Sequence, residues 1–312
     1  MLSEFAIVPQ VFGVPAPEEM ALHESSMAQL NELLLNYGLV RNLRGGQWKE
    51  RLSQIPGGLS VRGRMLIEVL CKSGRLREAE CTPLPPPDSA DDWLSEARRS
   101  HMDSPRDRRL MAILSPHVLA LEQNDPLVVS TDRIHEAPWW QKRSCSLRLD
   151  RTTADYLRCL RPVFLHSNSI MFVDPNLDPT KPNYAEFADL LALQAGSNPR
   201  IHLEIHRSCK DGKEYPSRNE WIERFQELTR VLARGRSCID VFVWDDFHDR
   251  YLISNLLGLS VPNGFDVCTD PEKFSLRTTW TRLSRPDADE VQRFFDSAHQ
   301  PKRLRWPPFR IG

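Results

Sequence analysis

Long apolar runs are missing from this sequence. No segment approaches the roughly 20 consecutive apolar residues that a membrane-spanning helix needs. The first five residues, Met-Leu-Ser-Glu-Phe, also lack the basic segment and apolar block of a secretory signal. We therefore expect a protein without a membrane segment that works in the cytoplasm.

Paired cysteines are missing as well. The seven cysteines are scattered, and none forms a Cys-x-x-Cys pair, the arrangement typical of zinc ribbons. Scattered cysteines in odd number favour reduced thiols and a cytosolic compartment. The sequence predicts no metal site and no cofactor.

The chain also lacks an excess of charge of either sign. It has 41 Lys and Arg against 42 Asp and Glu, a net charge of -1. This balance argues against a protein that coats nucleic acid through its overall charge, although a local basic groove remains compatible with it. With 312 residues, 40% of them hydrophobic, the chain can bury a core and is long enough for two domains.

Helical patterns dominate the N-terminal part. Met27–Tyr37 and Val61–Ser73 place apolar residues at helical spacing, and a glycine follows each. Four prolines at positions 83–87 exclude a helix there and stiffen the chain. The predicted domains are a mainly helical N-terminal region (1–82), a Pro-rich and charged linker (83–106) and an α/β domain (107–312).

Strand-like and helical segments alternate in the C-terminal part. Ile170–Val173, Ile201–His206 and Cys238–Trp244 have the composition of strands, and helical segments separate them. Another helical pattern extends from Arg108 to Glu122. Such alternation is typical of βαβ units with a partly parallel sheet.

The segment after Trp244 contains the residues with the clearest chemical potential. His248 and Arg250 are one residue apart, so an extended chain would direct both side chains to the same face. A guanidinium can bind two phosphate oxygens and stabilise developing charge. An imidazole can attack phosphorus or transfer a proton near neutral pH. This pair suits a phosphodiester site that needs no metal, although a surface turn with internally paired charges is the alternative.

The spacing around this pair resembles the motif of the phospholipase D superfamily. That motif consists of His, any residue, Lys, four residues and Asp, followed after about six residues by a turn with Gly, Ser or Asn. Here the positions are occupied by His248, Arg250 and Asn255, and Pro262–Gly264 follows after six residues. The departures are Arg for Lys, Asn for Asp, and a turn without the usual Gly-Ser. The resemblance covers about residues 150–270 and implies a mixed sheet with flanking helices.

The resemblance also implies roles for these residues. His248 would attack phosphorus or protonate the leaving group, Arg250 would anchor the phosphate, and Asn263 would be the turn ligand. Asn255 stands at the Asp position but cannot do the electrostatic work of a carboxylate. Members with a single motif build their site across a two-fold dimer, which would bring two His248 side chains together. One subset with His and Arg in this pattern is catalytically silent and serves as a binding domain.

Further candidates have weaker support. Ser254 belongs to the motif, while Asp174 and His206 follow predicted strands at the sheet edge where α/β proteins bind ligands. The alternatives are that Asp174 initiates a turn and that His206 is an edge-strand histidine. Residues that could contact nucleic acid are Arg207, Lys210, Arg303, Arg305 and Trp306. The alternative for the C-terminal tail is that Trp306 docks it on the domain while Arg303 and Arg305 face water.

Three functional hypotheses follow. The first is a metal-independent phosphodiesterase that acts on DNA or RNA, similar to prokaryotic nucleases of defence systems, and works as a homodimer or as a subunit of a larger complex. The second is a catalytically inactive phospholipase D-like module that binds nucleic acid or a protein partner, as the departures at Arg250 and Asn255 suggest. A lipid-acting phospholipase ranks third, because the chain has neither a membrane segment nor a basic amphipathic helix.

Overall fold

The structure, a computed structural model, describes residues 2–79, 87–116, 125–193, 201–209, 216–268, 276–300 and 303–312. Two compact units divide between Arg143 and Ser144. We call residues 2–143 the first unit and residues 144–312 the second unit. None of the helices within the described ranges is long and apolar enough to cross a membrane.

The first unit contains a five-stranded parallel sheet. Its strands are β1 (Ser3–Ile7), β2 (Gly38–Asn42), β3 (Leu76–Glu78), β4 (Ala112–Ser115) and β5 (Val128–Ser130), in the order β3-β2-β1-β4-β5. Its helices are α1 (Met20–Asn36), α2 (Gln47–Leu52), α3 (Val61–Lys72), α4 (Ala90–Asp103) and α5 (Pro138–Gln141). Side chains from both classes of element, among them Phe5, Leu30, Trp48 and Trp93, form the core.

The second unit contains an eight-stranded mixed sheet. Its strands are β6 (Ser146–Asp150), β7 (Ser169–Val173), β8 (His202–Ser208), β9 (Ile239–Trp244), β10 (Tyr251–Ser254), β11 (Gly258–Ser260), β12 (Arg277–Arg282) and β13 (Phe309–Ile311), in the order β13-β9-β8-β7-β10-β11-β12-β6. Strands β7, β8 and β9 are parallel, and the other pairings are antiparallel. The helices are α6 (Thr153–His166), α7 (Phe187–Ala192), α8 (Arg218–Phe225), α9 (Thr229–Gly235) and α10 (Arg285–Phe294). The predicted mixed α/β sheet with flanking helices is confirmed.

Local sequence explains where the main helices begin. The side chains of Ser89 and Ser217 each accept a hydrogen bond from the backbone amide three residues later. The acidic side chain at that later position, Asp92 or Glu220, accepts in turn from the backbone amide of the serine. These capping boxes satisfy amide groups that the first helical turn leaves without a partner. Thr152 caps α6 through its side chain, which accepts from the Asp155 amide.

Helices α1, α2 and α3 lie in the described N-terminal region, but three of the five strands in the first sheet also lie there and were not predicted. All five residues of β2 are buried. A parallel strand that is covered on both faces has no alternation of apolar and polar residues, so the period-two signal is absent. The same reason applies to β4, which is fully buried and which the helical pattern of residues 108–122 concealed.

The domain boundary differs from the predicted one. Residues 107–143 were assigned to the second domain, yet β4 pairs with β1 and β5 pairs with β4 inside the first unit. The predicted linker, 83–106, contains α4, which buries Trp93 and Leu94 in the first core. Long-range strand pairing determines this boundary, and no local sequence signal reports it.

A buried ion pair connects elements of the first unit. The Arg41 guanidinium donates from Nε to Glu4 at 2.6 Å and from Nη1 to the Ser100 carbonyl at 2.8 Å and the Ser104 hydroxyl at 2.8 Å. It also donates to the Arg108 carbonyl. Because every group of this guanidinium is engaged, Arg41 fixes the end of α4 to the sheet.

We expect Arg41→Met to destabilise the first unit by about 3–5 kcal/mol, because the Glu4 carboxylate loses its ion pair with Arg41 and the end of α4 loses its hydrogen bonds to this guanidinium. The matched control is Arg62→Met, which breaks the exposed Arg62–Glu24 pair of the same unit and should cost no more than about 1 kcal/mol. Urea-dependent hydrogen exchange of first-unit peptides measures both. Equal losses for the two variants would contradict the role of Arg41.

Candidate functional site

The carboxyl ends of three parallel strands form one edge of the second sheet. Strands β7, β8 and β9 end there, and antiparallel β10 begins there, with Tyr251 opposite Val173. Asp174 follows β7 directly, and its amide donates to the carbonyl of His206 at 2.9 Å. The topology therefore brings Asp174 to the start of β10, where His248 and Arg250 lie.

Arg250 is half-buried at this edge. Its Nε lies 3.7 Å from Oδ1 of Asp174, and its side chain is 26% exposed. Its Nη1 donates to the backbone carbonyl of His248 at 3.0 Å. Within the described residues, Nη2 has no hydrogen-bond partner. The guanidinium is thus held on two sides and keeps a donor for a ligand.

Asp174 is fully buried and accepts several hydrogen bonds. Oδ2 accepts from the Tyr184 hydroxyl at 2.9 Å and from the Phe265 amide at 3.1 Å, and Oδ1 accepts from the Asn176 amide at 3.0 Å. Burial raises the pKa of Asp174, although these donors and Arg250 counteract the shift. The bond to Asn176 also makes Asp174 a turn initiator.

The turn after β11 lies against the same carboxylate. Gly264 adopts φ +68°, and a Cβ at this position would lie 1.9 Å from Oδ2 of Asp174. Only glycine fits both conditions. The Phe265 ring packs 5.1 Å from the ring of Phe172, which fixes the turn in the core. Asn263, the predicted turn ligand, is half-buried beside Gly264.

His248 has a different environment from Arg250. Its side chain is 73% exposed, and its nearest charged neighbour is the Asp246 carboxylate at 3.8 Å from Nε2. The segment is anchored from one side by Phe247, whose ring lies 5.0 Å from that of Phe295. The imidazole of His248 is therefore available to solvent, to a ligand or to another molecule.

Ser254 and Asn255 lie at the opposite end of β10. Ser254 is opposite Ile170, at the start of β7, and its hydroxyl accepts from the amides of Leu256 and Leu257. Oδ1 of Asn255 accepts from the Asn168 amide at 2.8 Å. Both side chains stabilise turns away from Asp174, so their predicted place in the site is wrong.

His206 is a core residue. Its Nδ1 accepts from the Trp244 indole at 3.0 Å, and Nε2 lies 3.3 Å from a Glu204 oxygen. The Phe242 ring stacks on it at 4.6 Å. Burial lowers the pKa of His206. The second-line catalytic role is therefore wrong, and so is the edge-strand alternative, because β8 lies between β7 and β9.

Arg207 is also buried. Its guanidinium lies 3.5 Å from the centre of the Trp221 ring and donates to the carbonyls of Ser208 at 2.7 Å and Leu177 at 3.2 Å. Burial lowers its pKa to about 10. It stabilises the fold and cannot contact nucleic acid, contrary to the prediction. Lys210 lies outside the described residues.

The C-terminal tail reaches the motif. The Asp245 amide donates to the Arg303 carbonyl at 2.9 Å, and the Arg305 amide donates to the Val243 carbonyl at 2.8 Å. The side chain of Arg303 donates to the Asp246 carbonyl at 3.3 Å, and that of Arg305 lies 3.8 Å from the Asp245 carboxylate. Both arginines are exposed, whereas Trp306 is half-buried. The structure therefore places two predicted cations beside Asp245 and Asp246, two to three residues before His248.

Sequence reasoning missed the residues that support the site. The Tyr184 hydroxyl was not predicted, because no local pattern connects it with Asp174. Arg151, whose Nη2 lies 2.5 Å from Asp266, and Tyr156, whose hydroxyl donates to the Asp266 carbonyl at 3.0 Å, fix the chain directly after Phe265. Within the described ranges, no group of three or more His, Cys, Asp or Glu side chains is arranged to hold a metal ion.

Comparison with known proteins gives distant structural similarities. No protein-family model matches the chain, and no curated protein matches it. TrmBL2, described as an archaeal chromatin protein with a novel mode of DNA binding, is 12% identical, with a TM-score of 0.31 over 91% of this chain and 96% of that one. Phosphatidylserine synthase of Haemophilus influenzae Rd KW20 is 14% identical, with a TM-score of 0.30 over 51% of this chain and 38% of that one.

We expect Gly264→Ala to destabilise the second unit by about 3 kcal/mol or more, because the new methyl group meets Asp174 in a left-handed backbone conformation. Gly57→Ala is the control. Gly57 has φ +78° and no atom within 4 Å of a Cβ, so this variant should cost about 1–2 kcal/mol. Denaturant titration with hydrogen exchange of each unit measures the two losses. A Gly264 variant no less stable than the Gly57 variant would contradict the packing described here.

Proposed function

We propose that the second unit is a degenerate phospholipase D-like module that binds phosphate groups of DNA or RNA through Arg250 and His248, and that a single chain does not cleave them. The observation that supports this proposal is the guanidinium of Arg250. It is held between Asp174 and the His248 carbonyl and keeps Nη2 for a ligand at the open edge of the sheet.

Chemically, the site offers donors for a phosphate. Nη2 of Arg250 donates to one phosphate oxygen, and the exposed imidazole of His248 donates to another when it is protonated. Asn263 directly precedes Gly264 in the turn. In this proposal, its side-chain amide is a further hydrogen-bond donor to the phosphate. A charge-assisted bond of this kind contributes about 1.5–3 kcal/mol.

The environments of His248 and His206 argue against cleavage by one chain. Phosphodiester cleavage through a phosphohistidine needs one imidazole as nucleophile and a separate acid for the leaving group. His248 is exposed at the edge, but His206, the histidine nearest in the topology, is buried and engaged with Trp244 and Glu204. Of the two histidines that the sequence assigned to this edge, His248 is therefore the exposed one.

The charges around His248 favour contact with few phosphates. Asp245 and Asp246 lie beside Arg303 and Arg305, and Asp249 separates His248 from Arg250. These carboxylates offset the basic tail, so the surface is not the strongly positive groove that follows a nucleic-acid backbone. We therefore propose a local phosphate contact. For such a contact, a plot of the logarithm of the association constant against the logarithm of the salt concentration has a slope of about -1.

A second candidate function is cleavage by a homodimer. The 73% exposure of His248 supports it, since a two-fold interface at this edge would bring two such imidazoles together. A role in a prokaryotic defence system belongs to this proposal and rests on the resemblance of the motif alone.

The test is binding of labelled single- and double-stranded DNA and RNA in excess EDTA, followed by fluorescence anisotropy. We expect Arg250→Ala to weaken binding by about 1.5–3 kcal/mol, or roughly ten- to hundredfold. Arg158→Ala, which removes an exposed charge from the same unit, is the control and should change the affinity little.

The same samples report on cleavage. We expect intact nucleic acid after incubation with the wild type. Cleavage that disappears in His248→Ala, with a rate that rises with the square of the protein concentration at low concentration, would favour the dimeric enzyme instead. An affinity that Arg250→Ala and Arg158→Ala change equally would contradict the proposed site.

A further inference from the structure

Asp174 contacts both parts of the proposed phosphate site at the sheet edge. Its Oδ1 faces Nε of Arg250 at 3.7 Å, and its Oδ2 accepts the Phe265 amide of the Gly264 turn at 3.1 Å. The Tyr184 hydroxyl, at 2.9 Å from Oδ2, fixes the carboxylate from the remaining side. The backbones of the two parts are joined directly, since the Val261 amide donates to the Arg250 carbonyl at 3.0 Å, and Asp174 adds a contact between the Arg250 side chain and the turn.

A second buried aspartate in the same loop allows a comparison. Asp178 is also fully buried, but it forms a hydrogen-bonded ion pair with Nη1 of Arg224 at 2.6 Å and accepts from Thr180 at 2.7 Å. This pair engages an end nitrogen of its arginine. Asp174 instead faces Nε of Arg250 at a distance beyond a hydrogen bond, which leaves the Nη2 end of the guanidinium directed elsewhere.

The motif position that should carry a carboxylate does not carry one. Asn255 stands there, and it lies at the far end of β10, bonded to the Asn168 amide. The carboxylate that does face the arginine of the motif comes from the end of β7. Asp174 therefore supplies at this edge a negative charge that the motif itself lacks.

We infer that Asp174 is a positioning residue for phosphate recognition: its carboxylate holds Arg250 and the Asn263–Gly264 turn in the mutual geometry that a phosphate requires. The inference rests on the proposed function of the second unit, but the placement of Arg250 can be measured without any ligand.

Ionisation of this carboxylate is consistent with such a role. Burial raises the pKa of Asp174, while Asn176, Phe265, Tyr184 and Arg250 lower it. The charge of Asp174 also acts to raise the pKa values of Arg207 and Tyr156. A raised pKa in the folded state means that the corresponding stability is present at low pH and is lost as the pH rises through that value. Burial therefore opposes ionisation of this carboxylate, and its pairing with Arg250 offsets part of that effect.

The experiment compares Asp174→Asn with Asp178→Asn in the full chain. For each variant, we would measure binding of a phosphorylated, labelled oligonucleotide and the ¹⁵N relaxation of the Arg250 Nε–H group, assigned through Arg250→Lys. We expect Asp174→Asn to weaken binding about tenfold, a loss typical of one misplaced charged contact, and to increase the mobility of the Arg250 Nε–H group. Asp178→Asn should lower stability but change neither quantity.

The outcomes separate the two proposals. A wild type that binds no nucleic acid would refute the proposed function, while an Arg250 Nε–H group that is rigid in the wild type and mobile in Asp174→Asn would still support the positioning role. Unchanged affinity and unchanged relaxation in Asp174→Asn would overturn that role and leave Asp174 as a structural residue. If Asp174→Asn fails to fold, Tyr184→Phe removes one donor to Oδ2 and should produce the same changes to a smaller extent. An unchanged Tyr184 variant would then count against the inference.

Discussion

The buried charge of Asp174 is the constraint on which the edge of the second sheet depends. A carboxylate taken out of water is costly unless donors and a cation surround it. Asn176, Tyr184 and Phe265 supply the donors, and Arg250 supplies the cation. Asn176 and Tyr184 come from the connection that follows β7, whereas Phe265 and Arg250 come from the turn after β11 and the start of β10, so satisfying one carboxylate brings these three segments together.

This constraint divides the polar residues of the second unit into two groups. Arg207 and His206 belong to β8 and are buried, in contact with Trp221 and Trp244 respectively. Arg250 and His248 precede β10 and keep one face toward solvent. A cation with aromatic and carbonyl partners on every side stabilises the fold, whereas a cation held on two sides can still bind an anion. Burial, more than residue type, therefore separates structural residues from candidates for binding.

Much of the second unit could be predicted from the sequence, and most of the first sheet could not. β7, β8 and β9 are apolar runs bounded by polar residues, and the glycine of the turn after β11 marks a left-handed position. β2 and β4, buried on both faces, give no periodic signal. The proximity of Arg303 to Asp246 follows from tail pairing with the end of β9, which no local pattern encodes. Ser254 failed as a site residue because motif spacing does not reveal which end of a strand faces the edge.

The same geometry bears on the choice between binding and catalysis. Asp174 reduces the net charge that Arg250 presents, which lowers attraction for a dianionic transition state more than for a singly charged phosphodiester. Catalysis needs stronger interaction with the transition state than with the bound ground state. An arginine paired with a buried carboxylate instead favours the singly charged ground state over the dianionic transition state. One exposed imidazole does not compensate for this preference. If the second unit binds phosphate as proposed, the arrangement of one chain is better suited to holding a phosphodiester than to breaking it, and a second chain would have to add positive charge as well as a second imidazole.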